Sequence, residues 1–205
     1  MHEKALTKEA LALFPQFSRL EGFYLAGGTA LALQIGHRIS IDFDFFNEKE
    51  LPTQLLQRIK NMFPSQSVAV SYHSPEQLNV LIDNIKTTFL HYPYPVIDSL
   101  VQIQKIPVAS IQEIAAMKAY AMGRRLSCKD YVDWYFMLKE GHVQLDDVLK
   151  LAQKKFGGEF NDRLFLGQLV SMDDVPDQHI DFLRDEIHRE DIVQFLEKTV
   201  QALEL

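Results

Sequence analysis

The chain has little cysteine, no excess of positive charge and no long apolar run, and each shortage excludes a class of protein. Cys128 is the single cysteine among 205 residues, which excludes an intrachain disulfide and fits a reducing compartment. The net charge of −7 argues against a broad electrostatic surface for nucleic acid, so any basic surface for a polynucleotide must be local. No run of roughly 18 apolar residues exists that could span a membrane.

The first residues also lack the apolar core of a signal peptide, because charged residues interrupt the segment MHEKALTKEALALF. These absences together predict a soluble, cytoplasmic protein with no membrane partner. Hydrophobic residues, in contrast, make up 47% of the chain against 24% charged residues, so the chain can bury a sizeable core. We find no internal repeat and no linker rich in proline, glycine or serine.

The spacing of apolar residues divides the chain into two parts of different character. The first part mixes short predicted strands at residues 23–26, 40–46, 67–73, 78–83 and 86–91 with predicted helices at residues 3–20, 29–36 and 51–62. The second part is helical throughout, at residues 111–120, 129–140, 144–156, 160–171 and 178–203. We therefore predict the α+β class, with an α/β core in residues 1–107 and a helical domain in residues 108–205.

Two aspartates form the first candidate site. Residues 40–46 alternate with a period of two, so Asp42 and Asp44 project from one face of a predicted strand while Ile41 and two phenylalanines face the core. Magnesium prefers oxygen ligands and is typically held by one or two carboxylates together with substrate phosphates. An Asp-x-Asp pattern on a strand is more often a solvated outer face, so this pair alone is weak evidence of a metal site.

A glycine pair strengthens that interpretation. Gly27 and Gly28 end a short apolar strand and lead into a predicted helix, whose first N–H groups can hold a triphosphate. Glycine lets phosphate approach the backbone closely, and the Thr29 hydroxyl can add a hydrogen bond. A glycine pair after a strand is usually only a turn. The combination is far more specific, because 13 residues of helix and turn between Gly28 and Asp42 bring the two motifs side by side.

A lysine and two aspartates in the second part form another candidate site. Lys118 lies in a helix of small residues, which permits close packing against a neighbouring element. Lys129, Asp130 and Asp133 begin the next predicted helix, and the two acids share one face of it. From composition alone, a solvated basic loop followed by acids at a helix start is the favoured interpretation.

These motifs resemble those of a known family. Gly-Gly followed by Asp-x-Asp resembles the signature of the polymerase-β-type nucleotidyltransferase superfamily. The segments YLAGGTALAL and HRISIDFDFF closely resemble AbiEii/AbiGii-type toxin nucleotidyltransferases. Ala-Met-Lys, an arginine-containing loop and Lys-Asp-x-x-Asp resemble the second signature of that family. The likeness is strong over residues 22–47 and 110–138, and it implies a mixed sheet flanked by helices and followed by a helical bundle.

The resemblance implies a role for each motif residue. Asp42 and Asp44 would bind Mg²⁺, with room for two ions, and would form the catalytic group together with Lys118 and Asp130. Asp130 would be a catalytic or site-organising acid, and Asp133 would pair with a basic residue. The residues expected to contact the nucleotide are Gly27, Gly28, Thr29, Arg38, Ser40, Lys118 and Lys129.

The role of Arg38 has an alternative, and one further residue is a weaker candidate. Arg38 is as often a structural partner of a nearby acid as a phosphate contact. Arg125, with Lys129, is a weaker candidate for contacts to the nucleotide or the acceptor.

The sequence departs from the superfamily at a third carboxylate. Many members carry an acid on a later strand that holds a second metal ion and helps to deprotonate the acceptor. Thr88 stands where that acid is expected. Asp83 is a candidate for the third ligand, although an aspartate there is more commonly part of a hairpin turn. His91 is an alternative base, although a lone histidine is more often structural. Without a third carboxylate the two-metal mechanism is in doubt.

The resemblance implies transfer of a nucleoside monophosphate from an NTP to an acceptor hydroxyl, with release of pyrophosphate. It also implies an RNA or tRNA acceptor and a cognate antitoxin, in a toxin–antitoxin pair active in abortive infection. The first alternative is a degenerate module that binds nucleotide without turnover. The second is a small-molecule nucleotidyltransferase of the antibiotic-modifying type, whose cationic acceptor would suit an acidic protein.

Overall fold

The protein is described by a computed structural model that covers residues 1–122, 124 and 127–203. These residues form two compact units. The first unit comprises Met1–Pro95 together with Leu100–Ala109. The second unit comprises Val96–Ser99 and the residues from Ser110 onward.

The first unit is built on a seven-stranded mixed sheet in the order β3-β4-β5-β2-β1-β7-β6. Its strands are β1 Tyr24–Ala26, β2 Phe43–Asn47, β3 Val68–His73, β4 Gln77–Ile82, β5 Ile85–His91, β6 Leu100–Ile103 and β7 Ile106–Ala109. β2 runs antiparallel to β1 and parallel to β5, which places Ala26, Asp44 and Thr88 in one row across the sheet. The predicted α+β class is confirmed.

Phenylalanine rings form the centre of the core in this unit. Phe17 lies 4.7 Å from Phe45 between ring centroids, and Phe45 stacks on Phe89 at 5.7 Å. Large rings of this kind bury much apolar area, which fixes β2 and β5 against the preceding segment. The helices of the unit are α1 Lys8–Leu13, α2 Gly27–Ile35 and α3 Leu55–Met62.

The first unit differs from the sequence prediction in three places. The helix expected over residues 3–20 is broken into two 3-10 segments and α1, because Thr7 caps a new start at Lys8. Strands β6 and β7 were not predicted, since the turn between them, Gln104–Lys105, has positive φ angles without glycine or asparagine. Ile41 is 46% exposed rather than buried, because β2 begins only at Phe43.

Helices form the second unit. They are α4 Ile111–Met122, α5 Cys128–Lys139, α6 Leu145–Phe156, α7 Asp162–Leu169 and α8 Arg189–Gln201. The helix expected over residues 178–203 is wrong in its first half, where the chain is irregular. Arg189, the first residue of α8, donates hydrogen bonds from its guanidinium to the Val175 carbonyl oxygen at 2.8 Å and to the Asp177 carboxylate at 2.6 Å. Throughout the described ranges, every helix is too short or too polar to cross a bilayer.

A buried ion pair fixes the start of α4. The Lys155 ammonium lies 2.5 Å from one carboxylate oxygen of Glu113, and both side chains are inaccessible to solvent. The other Glu113 oxygen accepts the N–H groups of Ile97 and Asp98, each at 3.0 Å. The Ser110 hydroxyl accepts the Glu113 N–H at 3.1 Å, which is one half of a capping box. The Glu113 carboxylate thus ties residues 97–98 to α4 instead of closing the box.

Replacing Glu113 by glutamine should lower the free energy of unfolding by about 3–5 kcal/mol, because the buried Lys155 ammonium would lose its counter-charge. Urea denaturation measures this change. The double variant E113Q/K155M removes both charges and should recover much of the loss. Lys150→Met is the control, because Lys150 lies on the same helix as Lys155 and is 79% exposed. It should change the free energy of unfolding by less than about 0.5 kcal/mol. A loss in E113Q no larger than in K150M would contradict the prediction.

Candidate active site

The two candidate aspartates lie next to the glycine pair in the first unit. Asp42 immediately precedes β2 and Asp44 is its second residue, and both are half-buried while Phe43 is fully buried. The β1–β2 register sets Ala26 opposite Asp44 and so brings Gly27 against the Asp44 carboxylate. A Cβ atom on Gly27 would lie 3.2 Å from Oδ2 of Asp44. The sheet therefore unites two motifs that are separate in the sequence.

Gly27 also begins α2 with a left-handed backbone, at φ +73°. A side chain at this position would be strained, which explains the need for glycine. Ala26 precedes the helix and offers no side-chain cap, so the first N–H groups of α2 have no capping side chain. Such a helix start attracts anions.

Arg38 packs under this helix start. A Cβ atom on Gly28 would lie 2.5 Å from Nη2 of Arg38, so the second glycine makes room for the guanidinium. Arg38 is only 2% exposed, and its Nη1 donates a hydrogen bond to the Ile39 carbonyl oxygen at 3.2 Å. The structure therefore gives Arg38 a bracing position, and its charge adds to the positive potential at the start of α2.

Thr29 and Ser40 hold the segment that leads to the aspartates. The buried Thr29 hydroxyl donates a hydrogen bond to the Asp42 carbonyl oxygen, and it lies 2.8 Å from the Ser40 hydroxyl. Both hydroxyl groups thus make contacts inside the protein, where they tie the approach to β2 onto α2. These contacts position Asp42.

The third carboxylate is replaced by a hydroxyl group in the row that contains Asp44. Thr88 lies directly opposite Asp44 on β5 and is buried. Asp83 lies in the β4–β5 turn at φ +45°, where its carboxylate accepts hydrogen bonds from the Ser67 N–H and hydroxyl. His91 pairs with Asn47 at the far end of β5. Across the described residues, no group of three or more His, Cys, Asp or Glu side chains is placed to hold a metal ion.

The second candidate site is a buried ion triad. The Lys118 ammonium lies 2.6 Å from a carboxylate oxygen of Asp130 and 2.6 Å from one of Asp133, and all three residues are buried. Burial alone lowers the pKa of Lys118, but the two carboxylates outweigh it and the pKa is raised above 10.5. Lys118 therefore stays protonated at neutral pH. The predicted partnership of Asp133 with a basic residue is present in this triad.

Three other basic residues, Arg124, Arg125 and Lys129, lie near the start of α5 in the sequence. Lys129 is half-buried, and within the described ranges it makes no ion pair or side-chain hydrogen bond. Arg124 is exposed and stacks on the Tyr120 ring, 3.6 Å from its centroid. Arg125 lies outside the described residues.

Sequence reasoning missed one neighbour of the aspartates. Phe43 of β2 pairs with Thr87 of β5, and the two strands run parallel. Asp42 and Lys86 each come one residue earlier, so Lys86 lies at the level of Asp42. The alternation of β5 places Lys86 on the same face as Thr88. The pairing of β5 with β2 would have revealed Lys86, but that pairing is set by tertiary structure.

Comparison with known proteins gives consistent results. The chain matches the sequence profile of the family described as nucleotidyl transferase AbiEii toxin, type IV toxin–antitoxin system, over residues 9–205. An uncharacterized protein of Aquifex aeolicus (strain VF5) is 35% identical over 151 residues, 73% of each chain.

Two solved structures share the fold. MenT4, a nucleotidyltransferase toxin of Mycobacterium tuberculosis H37Rv, superposes with a TM-score of 0.66 at 17% identity, covering 99% of this chain and 88% of its own. JHP933 from Helicobacter pylori gives a TM-score of 0.55 at 19% identity, covering 96% of this chain and 95% of its own. At these identities the likeness shows the fold alone.

Gly27→Ala should destabilise the first unit and displace the Asp44 carboxylate. The left-handed backbone alone costs roughly 1–2 kcal/mol for a residue with a Cβ atom, and the new methyl group would press on Oδ2 of Asp44. Thermal denaturation measures the first effect, and NTP binding with and without added Mg²⁺ measures the second. Gly158→Ala is the matched control, because a Cβ atom there meets nothing within 4 Å. Equal stability and equal binding in both variants would contradict the prediction.

Lys118→Met should lower the free energy of unfolding at neutral pH by about 3–5 kcal/mol, because two buried carboxylates would lose their counter-charge. A raised lysine pKa contributes stability that is fully present below 10.5 and is lost as pH rises through the folded-state pKa. The gap between wild type and variant should therefore be constant up to about pH 10 and shrink above 10.5. Urea denaturation of both proteins from pH 7 to above pH 10.5 measures this gap. A gap that already shrinks between pH 7 and 9 would exclude the triad as its cause.

Proposed function

Because the chain belongs to the AbiEii family of nucleotidyltransferase toxins and is itself a nucleotidyltransferase, we propose that it transfers a nucleoside monophosphate from an NTP to a hydroxyl group of RNA or tRNA, with Mg²⁺ as cofactor. One observation carries this proposal: the helix start at Gly27 lies against the Asp44 carboxylate. An anion-binding helix start beside acidic side chains suits a triphosphate only when a cation bridges the two, since phosphate and carboxylate repel each other.

The start of α2 would bind the triphosphate. The first N–H groups of α2 lack a capping side chain, and Gly27 carries no Cβ atom that would hinder a phosphate, while Arg38 fills the space beside Gly28. Arg38 adds positive charge from below and braces this helix start. Thr29 and Ser40 act indirectly, because their hydroxyl groups hold the Asp42 backbone in place.

Asp42 and Asp44 would hold Mg²⁺. Their oxygen donors are of the type that magnesium prefers, both side chains are half-buried, and the glycine at position 27 keeps a Cβ atom away from Oδ2 of Asp44. When bound, Mg²⁺ would neutralise charge on the triphosphate and polarise the phosphoryl group that is transferred.

In the proposed reaction, the acceptor hydroxyl loses its proton to solvent water as its oxygen bonds to the α-phosphorus. The bond from that phosphorus to the oxygen that bridges the α- and β-phosphates breaks, and pyrophosphate leaves. β5 provides Thr88 rather than a carboxylate opposite Asp44, so it supplies no general base there. Catalysis by this chain therefore rests on positioning and on charge neutralisation.

Within the second unit, Lys118 is the proposed phosphate contact and Asp130 the proposed site-organising acid. The raised pKa of Lys118 keeps its ammonium charged, which a phosphate contact requires. Asp130 and Asp133 fix the position of that ammonium from two sides. Lys129 is the proposed additional contact to nucleotide or acceptor, because it is the second residue of α5 and has no partner among the described side chains.

The biological role proposed is that of the toxin in a toxin–antitoxin pair, with a cognate antitoxin as partner and abortive infection as the setting. The family description supports the toxin–antitoxin part of this proposal. The alternative of nucleotide binding without turnover is disfavoured by family membership. A small-molecule acceptor, which the net charge of −7 would suit, is an outcome of the experiment that follows.

Asp44→Asn should abolish transfer of label from α-labelled NTP to RNA, with a loss of about 100-fold or more in rate, because the amide removes one charged metal ligand without changing shape. Each of the four NTPs is incubated with Mg²⁺, total RNA and purified protein, and the RNA is resolved on a gel. Asp83→Asn is the matched control, because that carboxylate bonds Ser67 in a turn.

Label on RNA with wild type and with D83N, but not with D44N, would support the proposal and identify the nucleotide. Label retained by D44N would exclude Asp44 as a metal ligand. Pyrophosphate release without labelled RNA would instead indicate a small-molecule acceptor.

A further inference from the structure

We propose that the sheet face that carries Asp42 and Asp44 continues across β5, β4 and β3 as a binding surface for the single-stranded end of the acceptor RNA. Lys86 contacts an RNA phosphate and Tyr72 stacks on an RNA base. This surface, called here the acceptor track, comprises Lys86, Asn79 and Tyr72. The inference rests on the proposed RNA acceptor and specifies where that acceptor lies.

One row across the sheet connects the aspartates to Tyr72. Asp44 pairs with Thr88 on β5, Thr88 pairs with Asn79 on β4, and Asn79 pairs with Tyr72 on β3. Residues that pair directly across strands point to the same face of a sheet. Tyr72 therefore lies on the aspartate face, and it is 51% exposed although it is a large aromatic residue.

A β-bulge is the reason that Tyr72 faces this way. The register between β3 and β4 shifts between Val70 and Tyr72, so Val70 pairs with Val80 and Tyr72 pairs with Asn79. In a regular strand, Tyr72 would share the face of Val70, which is the face of the phenylalanine core. Bulges often re-aim a side chain near a functional site. Here the extra residue moves the tyrosine of β3 onto the face of Asp42 and Asp44.

Lys86 supplies the charge that a phosphate needs at the near end of the track. It lies on β5 at the level of Asp42, on the face shared with Thr88, and it is exposed. Among the residues that the structure describes, it forms no ion pair or side-chain hydrogen bond. A protein of net charge −7 must bind RNA through local basic groups, and Lys86 places such a group beside the aspartates.

The dimensions of the track fit a short single strand. Three strand spacings of about 4.8 Å separate Asp44 from Tyr72, which gives a span of about 14 Å. At a stacked spacing of roughly 3.4 Å this span accommodates about four nucleotides. Proteins usually bind single-stranded nucleic acid by stacking bases on aromatic rings and by contacting phosphates with basic side chains. This kind of binding tolerates different base sequences. Asn79 lies half-buried between these anchors and can hydrogen-bond to a base edge or a 2′-hydroxyl.

The test measures KM for total RNA and KM for the NTP in Tyr72→Ala and Lys86→Ala. Val70→Ala is the control for Tyr72, because it changes an exposed apolar residue of the same strand on the opposite face. Lys60→Ala, at an exposed lysine of α3, is the control for Lys86. Circular dichroism checks that all four variants keep the wild-type fold.

We expect Tyr72→Ala to raise KM for RNA by about tenfold or more, which is the usual effect of losing one stacked base. Lys86→Ala should raise KM for RNA and lower the slope of log KM against log salt concentration by about 0.7, as expected for one phosphate contact on a single strand. KM for the NTP should be unchanged in both, and both controls should match wild type.

Two different failures can be told apart. If wild type labels RNA and both variants keep the RNA KM of their controls, the acceptor track is wrong while the proposed function stands. If wild type labels no RNA, the proposed acceptor is wrong and the track fails with it. An equal rise in KM for RNA and for NTP would assign Tyr72 or Lys86 to the nucleotide instead.

Discussion

The candidate site depends on the close approach of a helix start to a carboxylate. The antiparallel pairing of β1 with β2 sets Ala26 opposite Asp44, and the next residue turns the chain into α2. Only a residue without a Cβ atom fits comfortably there, because φ is positive and Asp44 lies 3.2 Å from the position that a Cβ would occupy. The neighbouring groups preserve this approach: Arg38 fills the space under Gly28, and Thr29 holds the Asp42 backbone.

The charged groups of the two units differ in how deeply they are buried and in how they are paired. In the first unit, Asp42 and Asp44 remain half-buried and so can exchange water for a cation and phosphate oxygens. In the second unit, Lys118 is buried between two carboxylates and is charged because they outweigh the cost of its burial. The first arrangement suits a group that binds and releases ligands. The second suits a charge that must keep one position.

The parts that the sequence predicted well are those governed by local rules. The glycine pair and the turn at Asp83 each require a specific residue type at a specific backbone geometry, and each lies where its pattern indicated. The errors arose where distant contacts decide. Arg189 bonds residues 175 and 177, and the chain between them and α8 is irregular although a helix was predicted there. The roles of the individual site residues stay predictions.

Strand pairing explains why the sequence did not predict that Lys86 and Tyr72 share a sheet face with the aspartates. Lys86 is forty-two residues from Asp44 and Tyr72 is twenty-eight, and neither follows a motif that points to the aspartates. Their common face results from the β2–β5 pairing and from one extra residue in β3. The same pairing bears on the missing acid. β5 presents Thr88 and Lys86 where a carboxylate was expected, so it adds positive rather than negative charge beside two aspartates. A triphosphate therefore meets less repulsion on this face than a third acid would impose.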